Sequence, residues 1–258
     1  MSAMVMATTA GSSSREYYKR TRAAWRREIR LPILIFVAMI FGIVALLNLI
    51  AIGHHELYVG LFLGSGFGLL YSIWETPPQF IESWREGAEG EERTAHELSR
   101  LNEADWHTSH DLEDEYGNID HVVVGPAGVF LLDSKSWTGR IALEDGVIVK
   151  RRPISPRSDY RDAQLPRRMR GAAASLHRRL EVATGISKYV AAVVVIWGAF
   201  DQGLVEDDQV VYISGDRIAD WLLRQPLRLE RREQNLLGLA LESGLAVSHR
   251  ETKPIGAF

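Results

Sequence analysis

The 258-residue chain contains no cysteine. That excludes disulfides and any cysteine-held metal site, and it fits a reducing compartment. Net charge is also nearly absent, since 30 basic and 33 acidic residues leave −3. The overall balance therefore points to no class of partner. A third absence is local. Leu31–Gly53 and Leu57–Trp74 hold no charged residue at all. Roughly 20 apolar residues cross a bilayer core, so each stretch is long enough to span one. The first exceeds the about 7–15 residues of a signal-peptide core, and a second follows at once.

Two membrane helices joined only by Gly53-His54-His55-Glu56 form a tight antiparallel hairpin. Arg15, Lys19, Arg20, Arg22, Arg26, Arg27 and Arg30 precede the first helix, and the connecting loop has no Lys or Arg. The positive-inside rule then puts the N-terminus and everything after Trp74 in the cytoplasm of a two-pass cell-membrane protein. Gly60, Gly64 and Gly68 make one smooth helix face. It can pack on Ala38 and Gly42 of the same chain, or on a second copy as a homo-oligomer. The first 14 residues, rich in Ser, Thr, Ala and Met, read as disordered.

After Thr76-Pro77-Pro78, a linker over Trp84–Gly90 precedes a helix from about Gly87 to Asn102. Ala95, Leu98 and Leu101 form its apolar stripe, and Glu91 projects from that face. A carboxylate there is either a functional group or an N-terminal acid favoured by the helix dipole. Strands follow at Trp106–Leu112, at a hairpin on either side of Gly125-Pro126-Ala127-Gly128, and at Arg140–Leu143 and Gly146–Lys150. A helix over Asp162–Ala183 leads to a buried strand, Tyr189–Trp197, and another at Val210–Ile213. Helices over Asp216–Arg224 and Leu229–Leu241 close the chain. The order implies an α/β fold, a mixed β-sheet flanked by helices.

Asp120, Asp133 and Lys135 interrupt two hairpin strands that otherwise read as buried. Burying a charge costs several kcal/mol unless it is paired or metal-bound. Two acids and a lysine there imply a site for a cation and an anionic substrate. With an even loop, paired positions sum to 253 and Asp120 faces Asp133. Pro126 cannot take the positive φ of a type I′ or II′ turn. A three-residue loop ending at Gly128 would slip the register and move Asp120 to the other face. The expectation is an even loop or a compensating bulge. Lys150–Arg179 is strongly basic, with Arg151, Arg152, Arg157, Arg161, Arg167 and Arg168 among its cations. It reads as a solvated helix face, a surface for anionic lipid, or a surface that tracks nucleic-acid phosphates.

Gly87-Ala88-Glu89-Gly90-Glu91, Gly117-Asn118-Ile119-Asp120-His121, Gly125-Pro126-Ala127-Gly128-Val129-Phe130 and Asp133-Ser134-Lys135 occur in that order. Together they resemble the NERD (nuclease-related) domain, a branch of the PD-(D/E)XK nuclease superfamily. The resemblance covers about Gly87–Ile213. It implies that Asp120 is the first motif acid, Asp133 and Lys135 the acid-x-lysine element, and Glu91 the acid of the first helix. Gln164 resembles the polar residue that often opens the following helix. Asp133 stands where the family more often has Glu. Asp120, Asp133 and Glu91 would hold Mg²⁺ or Mn²⁺, and the basic segment would grip nucleic acid. The resulting layout is a basic, partly disordered N-terminus (1–30), a membrane hairpin (31–74), a linker (75–86), a nuclease-like domain (87–225) and a C-terminal helix and tail (226–258). Two functions stand: a membrane-anchored nuclease cleaving cytoplasmic DNA or RNA, or an inactive nuclease-fold module that binds nucleic acid or a protein at the membrane.

Overall fold

The computed structural model describes residues 10–50, 55–114, 117–151 and 159–243. The chain divides into two compact units, Ser14–Arg85 and the remainder. The Gly53–His54 part of the expected hairpin loop, and Arg152 and Arg157 of the basic segment, lie outside the described residues.

In the first unit, helix α1 (Ser12–Glu28) carries the basic cluster except Arg30, which opens α2 (Arg30–Ile50), and α3 (His55–Glu75) follows. Residues 12–14, expected to be disordered, already belong to α1. Two helical stretches, Ser12–Leu46 and Glu56–Glu75, are long and apolar enough to cross a membrane. Only 6 % of the most apolar window of each is covered by protein, whereas a core helix would be mostly covered. Helices α2 and α3 meet through Gly66, which lies against Ile40. A Cβ built at Gly60, Gly64, Gly68 or Gly42 meets nothing within 4 Å. The intrachain contact therefore uses a different face from the glycine stripe.

Helix α4 (Gln79–Leu98) begins directly after Pro77 and Pro78. The expected linker over Trp84–Gly90 is thus helical. Proline stops the preceding helix, and nothing after it stops the next. Gly90 has a packing reason instead: a Cβ there would lie 2.8 Å from that of Ser136. Glu91 is consequently in mid-helix, so the helix-dipole account of it fails.

Strands β1 (His107–Asp114), β2 (Gly117–Gly125), β3 (Gly128–Glu144), β4 (Val147–Arg151) and β5 (Tyr160–Asp162) come next. Helix α5 (Leu165–Thr184), strands β6 (Val190–Phe200), β7 (Leu204–Asp207) and β8 (Val210–Ser214), and helices α6 (Ile218–Arg224) and α7 (Arg231–Glu242) complete the order. The sheet runs β1-β2-β3-β6-β8-β7, with β4 on β3 and β5 on β4. The β3–β6 and β6–β8 pairs are parallel and the others antiparallel. The fold is therefore α/β with a mixed sheet. One face buries Leu131 and Val194 under Leu165, Met169 and Leu176 of α5 and Leu237 of α7. The other buries Val123, Leu132 and Val195 under Leu98 of α4 and Ile218 and Leu222 of α6. Helices thus cover both faces, and the near-continuous apolar run of β6 follows from that double burial.

Two expected strands, the second half of the hairpin and Arg140–Leu143, are one strand, β3. Its register on β6 shifts between Ser136 and Arg140, a bulge or irregularity where the sequence reads as a break. Strands β5 and β7 were not expected. The β7–β8 turn takes positive φ at Asp208 and Gln209, so the turn lacks the usual glycine signal.

Candidate active site

The β2–β3 ladder runs from His121↔Leu132 to Gly125↔Gly128, leaving Pro126 and Ala127 as an even, two-residue loop. Every pair sums to 253, and the expected register holds. The conflict over Pro126 is resolved one residue later. Gly128 takes φ 138°, while neither Pro126 nor Ala127 has positive φ. The alternation along both strands then gives Asp120 the face of Val122, and Asp133 and Lys135 the face of Leu131.

These three side chains line one small cavity of about 90 Å³, together with Asn118, Leu165, Arg168 and Met169. The ladder stops before Asp120. Its carboxylate Oδ2 instead accepts the backbone N–H of Ser134 at 2.6 Å. Lys135 Nζ lies 2.9 Å from Oδ1 and 2.7 Å from Oδ2 of Asp133. The second contact is an ion pair without hydrogen-bond alignment, so Oδ2 is sealed from solvent yet accepts no hydrogen bond.

Electrostatics tie in the fourth residue. Residue Asp120 is only partly covered, but its carboxyl is enclosed. Burial first, then the charge of Asp133, hold that carboxyl well above the usual carboxylate range. Glu91 pushes it further, while Lys135 and the Ser134 amide oppose the rise. Burial would lower the Lys135 ammonium, but Asp133 and Asp120 outweigh it and raise its pKa. Glu91 itself is 7 % exposed on α4. The fold therefore brings Asp120, Asp133 and Lys135 together at one cavity, while Glu91 does not line it and acts on Asp120 through its charge. Two like charges so enclosed favour a proton or a cation between them.

Gln164 does not join this group. It is exposed and does not line the cavity; its backbone N–H donates to Asp162 Oδ1 at 3.1 Å. One turn later, Arg168 does line it. Asp162 holds Arg168 through Nη2 at 2.7 Å, takes the Leu165 N–H at 3.0 Å, and accepts the Tyr160 hydroxyl at 3.2 Å. Burial would raise the Asp162 carboxyl, but these donors outweigh it and lower its pKa. Arg151, Arg161 and Arg167 are exposed, with Arg151 paired to Glu144. Arg170 and Arg179, also in the basic segment, are committed to Asp208 and Asp114. Reading the sequence missed Asp162, although Asp before a Pro-containing helix start is a capping signal. It also missed buried Thr94, which carries no such signal.

Among the described residues, no group of three or more His, Asp or Glu side chains is arranged to hold a metal. Asp120 and Asp133 are the two carboxylates that share the cavity, and they are the residues there that could hold a cation.

Residues 86–197 match the nuclease-related domain, NERD. The NERD match runs from within α4 to within β6, the segment that holds Glu91, Asp120, Asp133, Lys135 and Arg168. No curated protein and no solved structure matches the chain.

Proposed function

We propose that this protein is a membrane-anchored, Mg²⁺-dependent nuclease acting on cytoplasmic DNA or RNA. The observation that carries the reading is the shared cavity of Asp120, Asp133 and Lys135, with Glu91 near enough to act on Asp120. Asp120 and Asp133 would hold the cation, with Glu91 near its waters; Mn²⁺ could substitute. A bound divalent ion supplies an activated water and offsets charge on the phosphate. Lys135 stabilises the negative charge that develops on the phosphoryl oxygens. Arg168, held by Asp162, grips a phosphate beside the cavity, and exposed Arg161 and Arg167 extend the contact along the strand. Arg151, Arg152 and Arg157 would contribute to the same surface. Helices α2 and α3 would keep the site at the cytoplasmic face of the membrane, and the open Gly60/Gly64/Gly68 face offers a contact for a second copy.

The test uses the full chain in detergent with single- and double-stranded DNA and RNA. Cleavage in Mg²⁺ that disappears in EDTA and in Asp120→Asn supports the reading. Cleavage that survives either overturns the site. Salt-sensitive binding without cleavage favours the second reading, a non-catalytic nucleic-acid module. The small cavity, and the absence among the described residues of a third metal-holding side chain, lend that alternative its support.

A further inference from the structure

We infer that Thr94 is a positioning residue that fixes α4, and with it Glu91, against the strand carrying Asp133 and Lys135. Thr94 is fully buried. Its hydroxyl makes three contacts: Gly90 O at 3.0 Å, Ser134 Oγ at 2.7 Å and Trp197 Nε1 at 2.8 Å. A hydroxyl has one proton and two lone pairs. The indole N–H can only donate and the Gly90 carbonyl can only accept. Thr94 therefore donates to Gly90 and accepts from Trp197. Its remaining lone pair must accept the Ser134 hydroxyl. Every donor and acceptor of the group is then used, and the direction of each bond is determined.

This node joins three elements. Thr94 is on α4, Ser134 on β3 and Trp197 on β6. Ser134 is also the residue whose backbone N–H holds the Asp120 carboxylate. Glu91 lies three residues before Thr94, on the same helix face one turn away. One hydroxyl thus connects the helix bearing Glu91 to the backbone group that orients Asp120. The close approach of Gly90 to Ser136 brings the helix near enough for this contact. A valine of similar shape would leave the Trp197 N–H and Ser134 hydroxyl buried without their partner, whereas serine keeps the hydroxyl.

The catalytic consequence rests on the nuclease reading; the positional one does not. The experiment therefore has two arms on the full chain in detergent: hydrogen exchange at the Ser134 amide, and cleavage kinetics. In Thr94→Val the Ser134 amide exchanges about tenfold faster, as expected for one weakened hydrogen bond, while the Val193 and Val195 amides keep their rates. Thr94→Ser stays within about twofold of the parent, since the hydrogen bond is retained. Ser134→Ala reproduces the Thr94→Val effect, and the double variant adds nothing more. In the kinetic arm, Thr94→Val lowers kcat with KM unchanged and Thr94→Ser restores it. An unchanged Ser134 amide in Thr94→Val, or equal acceleration across the sheet, overturns the inference. If the parent protein cleaves nothing, the nuclease reading fails and the exchange arm alone decides the role of Thr94. Where Thr94→Val does not fold, Ser134→Ala carries both arms.

Discussion

The Lys135 ammonium spans both oxygens of Asp133, at 2.9 and 2.7 Å, with Oδ2 sealed from solvent. A single cation therefore compensates a carboxylate that faces a second acid, Asp120. Lys135→Met would leave two acids without that cation. Losing one partner of a buried pair costs about 3–5 kcal/mol, and the loss here should be no more than about 3 kcal/mol because both side chains retain some exposure. Chemical denaturation in EDTA should register that loss. Adding Mg²⁺ should recover part of it, because a divalent ion can replace the missing charge. No recovery at saturating Mg²⁺ would argue that the pair holds no metal.

The charges that make the site were legible because each breaks a pattern. Asp120, Asp133 and Lys135 stand out against apolar strands, and Glu91 against an apolar helix face. The register was legible too, once Pro126 and Gly128 were weighed against each other. The extent of α4 was not, because glycines at 87 and 90 resemble linker punctuation. Gly90 is small for the sake of Ser136, a contact between residues far apart in sequence. Strand β3 was read as two because a bulge and a strand end look alike locally. The anchoring of Arg168 by Asp162 is local, at a helix start whose capping signal the sequence carries, whereas the Thr94 node depends on tertiary contacts, which carry no periodic signal.

Asp120→Asn separates stability from function. The substitution removes one of two enclosed like charges and keeps an oxygen to accept the Ser134 N–H. Without divalent cation at neutral pH, the variant should be more stable by up to about 1 kcal/mol. Its Mg²⁺ affinity, read by calorimetry, should fall at least about tenfold, the scale of 1.4 kcal/mol. A destabilised variant with undiminished Mg²⁺ binding would remove Asp120 from the cation site and leave it a structural acceptor for Ser134.

Membrane attachment gives a separate prediction. If α2 and α3 span the bilayer, the protein should resist extraction by high salt and alkaline carbonate and require detergent. Arg22→Glu with Arg26→Glu would weaken an electrostatic contact but not that resistance, since a spanning helix is held by its buried apolar surface far more strongly than by surface charge. Release of the parent chain by salt alone would show that α2 and α3 do not span the bilayer.

Asp162 supplies the pH dependence. Burial works against its ionisation, but the Arg168 guanidinium, the Tyr160 hydroxyl and the Gln164 N–H bring its folded pKa below the ordinary carboxylate value. A depressed carboxylate contributes stability above its unfolded pKa and loses it as pH falls through the folded value. Asp162→Asn keeps an oxygen for the Gln164 and Leu165 N–H groups but removes the charge, so it should cost up to about 1 kcal/mol at neutral pH, the excess of a charge-assisted hydrogen bond over a neutral one. The difference from the parent should shrink steadily below about pH 4, near the unfolded pKa of aspartate. The Arg168 side chain is 49 % exposed, so its share of the effect is small and screened by salt. Arg168→Ala should raise the Asp162 titration midpoint, measured by carboxyl NMR, while changing stability by less than about 1 kcal/mol. The same variant should weaken nucleic-acid binding and flatten its salt dependence, because one phosphate contact is gone. A raised midpoint with unchanged binding would confine Arg168 to holding the start of α5.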